Sequence, residues 1–187
     1  MSKKYCGYVS IIGKPNVGKS SIINAILKKK VSITSRKSQT TRNNILGIKT
    51  TDNKQAIFID TPGLHIKSQK TMNKILNKSA QSIIEDSDIV LFVVQRLSLT
   101  EEDHSILSKL KETNPFSICV INKIDQISDK QRLLPFIEKI SDEYNFASII
   151  PISAKTSQNL QDLIYKIEEY LPENDHIYDD AFNLTNN

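Results

Sequence analysis

Short apolar runs recur along the chain, most of them ending in Gly, Asp, Asn or Ser, with helically spaced apolar positions between them. That rhythm predicts strands alternating with helices, the layout of an α/β domain. Residues 8–12 read as the first strand and 19–29 as the first helix. Strands follow at 44–50 and 55–60, joined by a turn at Asp52-Asn53. The turn is too short for a crossover helix, so these two strands must pair antiparallel. Residues 71–86 read as a helix and Ile89–Val94 as a strand buried on both faces. Thr100-Glu101-Glu102-Asp103 carries an S/T-x-x-D/E capping signal that opens a helix with Ile106, Leu107 and Leu110 on one face. A strand at 116–121 and a helical pattern at 129–144 come next, and Pro135 must kink that helix or delay its start. The run Ile149–Ile152 is followed by Leu160, Leu163, Ile164, Ile167 and Leu171 at helical spacing, a core stripe. The predicted architecture is a mostly parallel six-stranded sheet with one antiparallel strand and helices on both faces.

Chemistry collects at the carboxyl ends of these strands. Gly13-Lys14-Pro15-Asn16-Val17-Gly18-Lys19-Ser20 follows the first run directly and fits G-x-x-x-x-G-K-S. Glycines at both ends let the backbone wrap a polyphosphate with N–H groups inward, the lysine reaches the β- and γ-phosphates, and the hydroxyl binds Mg²⁺. The helix behind it aims its positive end at the same phosphates. Asp60-Thr61-Pro62-Gly63 ends the run Ala56–Ile59, with a carboxylate for Mg²⁺ and a glycine whose N–H can approach the γ-phosphate. Asn122-Lys123-Ile124-Asp125 ends Ile118–Ile121. Guanine offers an N1–H and an exocyclic amine to a single carboxylate, here Asp125, whereas adenine has no such pair of donors. Asn122 would join neighbouring loops and touch the base edge, and the Lys123 stem would cover the ring face. Ser153-Ala154-Lys155 comes last, placing a backbone N–H near guanine O6. Four elements in this order describe a P-loop GTPase domain.

Composition narrows the picture further. The 187 residues suit one domain of ordinary size. No run of eighteen apolar residues occurs, so no transmembrane helix is expected. The apolar stretch after Lys3 and Lys4 leads straight into the phosphate loop without a small-residue cleavage site, which argues against a signal peptide. Cys6 and Cys119 stand apart from each other and from any metal-ligand spacing, and read as buried thiols in a reducing cytosol. His65, His104 and His176 form no cluster. Charge is lopsided: residues 1–80 hold sixteen Lys and Arg against Asp52 and Asp60, whereas 81–187 hold nine against nineteen acidic residues, for a net +4. The basic half is either a solvated face that also compensates a bound nucleotide or a surface for an RNA backbone. No aromatic residues interleave with the segment 20–51, so it would not read sequence.

The first loop, the stretch Val31-Ser32-Ile33-Thr34-Ser35-Arg36-Lys37-Ser38-Gln39-Thr40-Thr41-Arg42, and Asp60-Thr61-Pro62-Gly63-Leu64-His65 together resemble the bacterial Era GTPases. The resemblance covers residues 5–172 and implies a GTPase domain there. It implies a GTPase in maturation of the small ribosomal subunit, with 16S rRNA as partner; Thr41 and Gly63 make it a conformational switch, and Leu64, which cannot orient water as a glutamine would, makes hydrolysis of GTP to GDP slow. It further implies a cytoplasmic protein associated in part with the inner face of the membrane, and a monomer. In that family a C-terminal KH domain does most of the RNA reading. Here no G-x-x-G occurs after Ser153, and 173–187 reads as an acidic tail, the start of a linker to a missing KH domain. A docking module with incidental turnover, or a GTPase of tRNA modification, are the alternatives; the apparent γ-phosphate sensors and the Ser32–Arg42 match favour the switch.

The site expected from this comparison takes Gly13, Lys14, Pro15, Asn16, Val17, Gly18, Lys19, Ser20 and Ser21 from the first loop as nucleotide contacts. Asp60, Thr61, Pro62 and Gly63 come from the second, Asn122, Lys123 and Asp125 from the third, and Ser153, Ala154 and Lys155 from the fourth. Lys19, Thr41 and Gly63 are the candidate catalytic groups. Ser20, Thr41 and Asp60 are the Mg²⁺ ligands, with Thr40 as the alternative to its neighbour. Leu64 occupies the position where Ras-like GTPases carry the glutamine that orients water. The missing orientation must come from backbone, a partner or an ion. Asn16 has two readings: an oxygen that holds K⁺ beside the phosphates, or a hydrogen bond confined to its own loop.

Overall fold

The computed structural model describes residues 3–28, 45–59 and 84–178. Six strands form one sheet: β1 (Tyr5–Ile12), β2 (Ile45–Thr51), β3 (Lys54–Ile59), β4 (Ile89–Gln95), β5 (Ser117–Asn122) and β6 (Ser148–Pro151). Their order across the sheet is β2-β3-β1-β4-β5-β6. Only β2 and β3 pair antiparallel, through a turn in which Asp52 adopts φ 49. The other pairings are parallel, as crossover connections require. Strand β1 begins three residues before the predicted start. Its first residues pair with β3, in the register Tyr5↔Lys54 to Ser10↔Ile59, and extend below the apolar run that marked it.

Helices α1 (Lys19–Lys28), α2 (Glu101–Thr113), α3 (Leu133–Glu143) and α4 (Leu160–Glu169) cover the sheet. Strand period decides which residue faces which layer. In β4, Ile89, Leu91 and Val93 join a core with Ile22, Ile23 and Ile26 of α1 and Leu160, Leu163, Ile164 and Ile167 of α4. The intervening Val90, Phe92 and Val94 join the opposite core, with Ile106, Leu107 and Leu110 of α2 and Phe136 and Ile140 of α3. A strand that is apolar at every position is therefore two interleaved faces, each burying side chains worth about 1.5–3 kcal/mol apiece.

Pro135 delays the start of its helix: the pattern at 129–144 becomes α-helix only from Leu133. A 3-10 turn at Lys130–Arg132 leads into α3, and the proline is the helix's third residue, where no intrahelical acceptor awaits its missing N–H. Of the helix predicted at 71–86, residues 84–86 are described: Ile84 and Glu85 are helical and Asp86 is a turn. Both cysteines are free and buried, and burial pushes the Cys119 thiol pKa far up. Among the described residues no helix is long and apolar enough to cross a membrane.

At the amino ends of the strands, the chain leaving α4 is tied down. Pro172 O accepts from Cys6 N (3.1 Å), and Asn174 N donates to Lys4 O (3.1 Å). The buried Gln55 then takes over. Its Oε1 accepts from the backbone N–H groups of Ile177 and Tyr178, each at 3.0 Å, and its Nε2 donates to Tyr178 O at 2.8 Å.

Candidate nucleotide-binding site

The loop after β1 lies where the connections leaving the neighbouring strands β1 and β4 run to opposite sides of the sheet, the position at which open α/β sheets bind ligands. Two glycines allow its shape. Gly13 has φ +146, and a Cβ there would lie 2.4 Å from Val93 O at the end of β4. Gly18 has φ +100, and a Cβ would meet Asn122 Nδ2 at 2.3 Å. Neither clash involves a flexible side-chain tip that could swing away freely. The loop therefore rests directly on β4 and on Asn122, which only glycine permits. Asn16, at φ 65, makes the intervening left-handed turn.

Lys19 Nζ donates to Gly13 O (2.7 Å) and Lys14 O (2.9 Å), so its ammonium lies inside the curl of the loop. Pro15, Asn16, Gly18, Lys19, Ser20, Ser21 and Lys123 line a concavity of about 660 Å³ together with Asn24 and Leu46. Asn24 and Leu46 were not anticipated. They carry no motif, and α1 and the edge strand β2 bring them to the rim. The exposed Asn16 carboxamide makes no hydrogen bond among the described residues, while its backbone O accepts from Lys123 Nζ at 2.6 Å.

Three loops are stitched together by one side chain. The 2%-exposed Asn122 donates through Nδ2 to Val17 O (2.8 Å) and accepts at Oδ1 from Ala154 N (3.1 Å). Ser153, fully buried, donates its hydroxyl to Asp125 Oδ1 at 2.6 Å and accepts from Thr156 N at 3.2 Å. The Asp125 carboxyl is held below the usual carboxylate range first by that hydroxyl, then by backbone hydrogen bonding and by the charges of Lys155 and Lys130. It is thus a poised, charged acceptor on the exposed rim. Asn122, Asp125, Ser153, Ala154 and Lys155 lie outside the lining of the concavity, and Asn122 ties the loop of Ala154 to the first loop at Val17.

Lys14 turns its side chain outward from the loop. Its Nζ donates to Asp103 Oδ2 (2.8 Å) and Thr100 Oγ1 (3.0 Å) at the start of α2. Asp103 was legible as a capping residue, but no spacing pointed it at the phosphate loop 89 positions away. Thr40, Thr41 and Asp60-Thr61-Pro62-Gly63 lie outside the described residues. Of the three expected Mg²⁺ ligands only Ser20 is described, exposed beside Lys19 at the start of α1. A hard cation needs several oxygens, and among the described residues no group of three His, Cys, Asp or Glu side chains could hold one.

Residues 8–123 match the family model described as "50S ribosome-binding GTPase". GTPase Era of Glaesserella parasuis serovar 5 (strain SH0165) is 46% identical over 180 residues, covering 96% of this chain and 60% of that protein. Among solved structures, Era in complex with MgGDPNP and nucleotides 1506–1542 of 16S ribosomal RNA superposes with a TM-score of 0.78 at 37% identity, over 95% of this chain and 60% of the other. A single-residue variant of Aquifex aeolicus Era bound to GDP.AlF4- gives 0.76 at 37% identity, over 94% and 60% respectively. The chain thus spans about 60% of the length of these relatives.

Proposed function

The chain belongs to the family of 50S ribosome-binding GTPases, and from that premise we propose that it binds guanine nucleotide and hydrolyses GTP slowly, as a conformational switch in 16S rRNA maturation. The observation that carries the reading is the Asn122 junction, which binds the phosphate loop to the loop bearing Ala154 while Ser153 of that loop holds Asp125. Phosphate grip and base choice are thereby one rigid unit. Lys19 would leave the Gly13 and Lys14 carbonyls to meet the β- and γ-phosphates. Asp125 would accept guanine's two donors, and Ala154 N would lie near O6.

Ser20, Thr41 and Asp60 would hold Mg²⁺, which when bound neutralises charge on the β- and γ-phosphate oxygens. Thr41 and Gly63 would sense the γ-phosphate, making 31–43 and the segment after Asp60 the switches. With Leu64 in place of a glutamine, water orientation falls to other groups. The Asn16 carboxamide, exposed and making no hydrogen bond among the described residues, supports the reading in which it holds K⁺ beside the phosphates. Residues 1–172 act as the GTP-binding domain and 173–187 as an acidic, linker-like tail. The protein works as a cytoplasmic monomer with peripheral contacts at the inner membrane face.

A competition titration tests the core of this. The unmodified chain should take GTP and GDP and refuse ATP, because adenine would leave the Asp125 carboxylate unmatched, at about 1–3 kcal/mol. Asp125→Asn should shift preference toward xanthine nucleotides. Equal affinity for ATP and GTP would overturn the assignment.

A further inference from the structure

The buried ion pair between Lys14 and Asp103 has no part in the chemistry described so far. Asp103 is entirely buried and Lys14 only 14% exposed at its side chain. Asp103 Oδ2 is already the acceptor for Thr100 N (2.9 Å) and Thr100 Oγ1 (2.8 Å), and the ammonium of Lys14 completes its set at 2.8 Å. Among the described residues the buried Oδ1 has no hydrogen-bond partner and no other cation pairs with this carboxylate. A helix cap alone has no use for a wholly buried charge with one oxygen unmatched. Such a group is costly unless its counter-ion stays in place, so the carboxylate is a strong anchor for Lys14.

Residue 14 is where that anchor matters. Gly13 before it rests against Val93 O, and the Lys14 carbonyl is one of the two oxygens that hold Lys19. The front of the phosphate loop is thus fastened to β4 at Gly13 and to the first turn of α2 at Lys14. Its rear is fastened by Asn122 to Val17. We infer that Asp103 is a positioning residue for the phosphate loop: through Lys14 it holds the loop in its curled form before nucleotide arrives and slows nucleotide release afterwards. The second half of that role rests on the guanine-nucleotide reading above, and the first half does not.

The test uses the full 187-residue chain with Lys14→Gln, Asp103→Asn, the double variant and Lys14→Arg. Amide hydrogen exchange of residues 13–18 is read without nucleotide, and release of a fluorescent GDP is read with it. Each single variant should speed both by roughly tenfold, and the double should be no faster than the faster single, as residues acting as one unit require. Lys14→Arg keeps the charge in a different shape, so its exchange at 13–18 should fall between that of Lys14→Gln and that of the unmodified chain. Amides of α2 should keep their protection in Lys14→Gln, which leaves the Thr100–Asp103 cap intact. Unchanged exchange at 13–18 in Lys14→Gln, or multiplying effects in the double variant, would overturn the inference. If exchange responds as expected but the unmodified chain binds no GDP, the positioning role stands and the guanine-nucleotide reading falls. Should Lys14→Gln fail to fold, the double variant, which removes both charges, still decides: protection at 13–18 equal to the unmodified chain would reject the anchor.

Discussion

At the scale of single residues, the site depends on short polar contacts that set charge and direction. The Ser153 hydroxyl is the largest cause of the lowered Asp125 pKa. A carboxylate so depressed is charged at neutral pH, and its contribution to base binding is lost only as pH falls through that lowered value. Ser153→Ala removes the main cause, so the loss should begin at a higher pH. GDP affinity measured from pH 7 downward should show the acid limb displaced upward in the variant, with several-fold weaker binding near its foot. An unmoved limb would mean that Lys155 and Lys130 suffice. Asn16 offers a second test. GTP turnover in KCl should exceed that in NaCl at equal ionic strength, and the difference should vanish in Asn16→Ala, because a cation there adds charge where charge shifts during transfer. Identical rates in both salts would remove potassium from the site.

At the scale of elements, sequence pattern and structure agree where one signal sufficed and diverge where two competed. In the α4 stripe Leu160, Leu163, Ile164 and Ile167 are all buried on one face, while Leu171 lies past the helix end at Glu169 and is buried in the same core. Leu163→Ala should therefore cost about 2–5 kcal/mol in a denaturant melt, through lost burial plus the cavity left behind. Pro135 left two readings open, a kink or a delayed start, and the second holds, with α3 opening at Leu133 rather than at 129. The proline sits on the surface in the first turn of α3, so Pro135→Ala should change stability by no more than about 0.5 kcal/mol. A larger loss would mean that the proline's fixed φ helps to start the helix. The early start of β1 was not legible, because Tyr5-Cys6-Gly7 has no strand pattern of its own and is ordered by pairing with β3 and by the Pro172 carbonyl. The loops that carry the site were legible as motifs. Their joining was not, since Asn122, Ser153 and Asp103 act on residues far away in sequence.

At the scale of the whole molecule, charge is the property that sequence states most directly and structure adds least to. The basic half, with sixteen cations against two acidic residues, should bind 16S rRNA fragments weakly through backbone phosphates. Such binding releases counterions, so filter-binding affinity should fall steeply between low and moderate salt and should not distinguish sequences. Tight, salt-insensitive, sequence-selective binding would reveal a base-reading surface within this chain, contrary to the absence of aromatic residues from 20–51.

The fastening of residues 172–178 across the amino ends of β1 and β3 bears on reach. A tether counts only from its last fixed point, and among the described residues Gln55 moves that point from the end of α4 to Tyr178. The residues from 173 to 178 would otherwise span roughly 20 Å as free chain. Held down, they withdraw that length from any body attached beyond them and confine it to a smaller volume, raising its effective concentration near this pole of the domain. The pole lies a full strand, roughly 26 Å along β1, from the phosphate loop. A body tethered there begins its search from the side of the sheet farthest from the nucleotide.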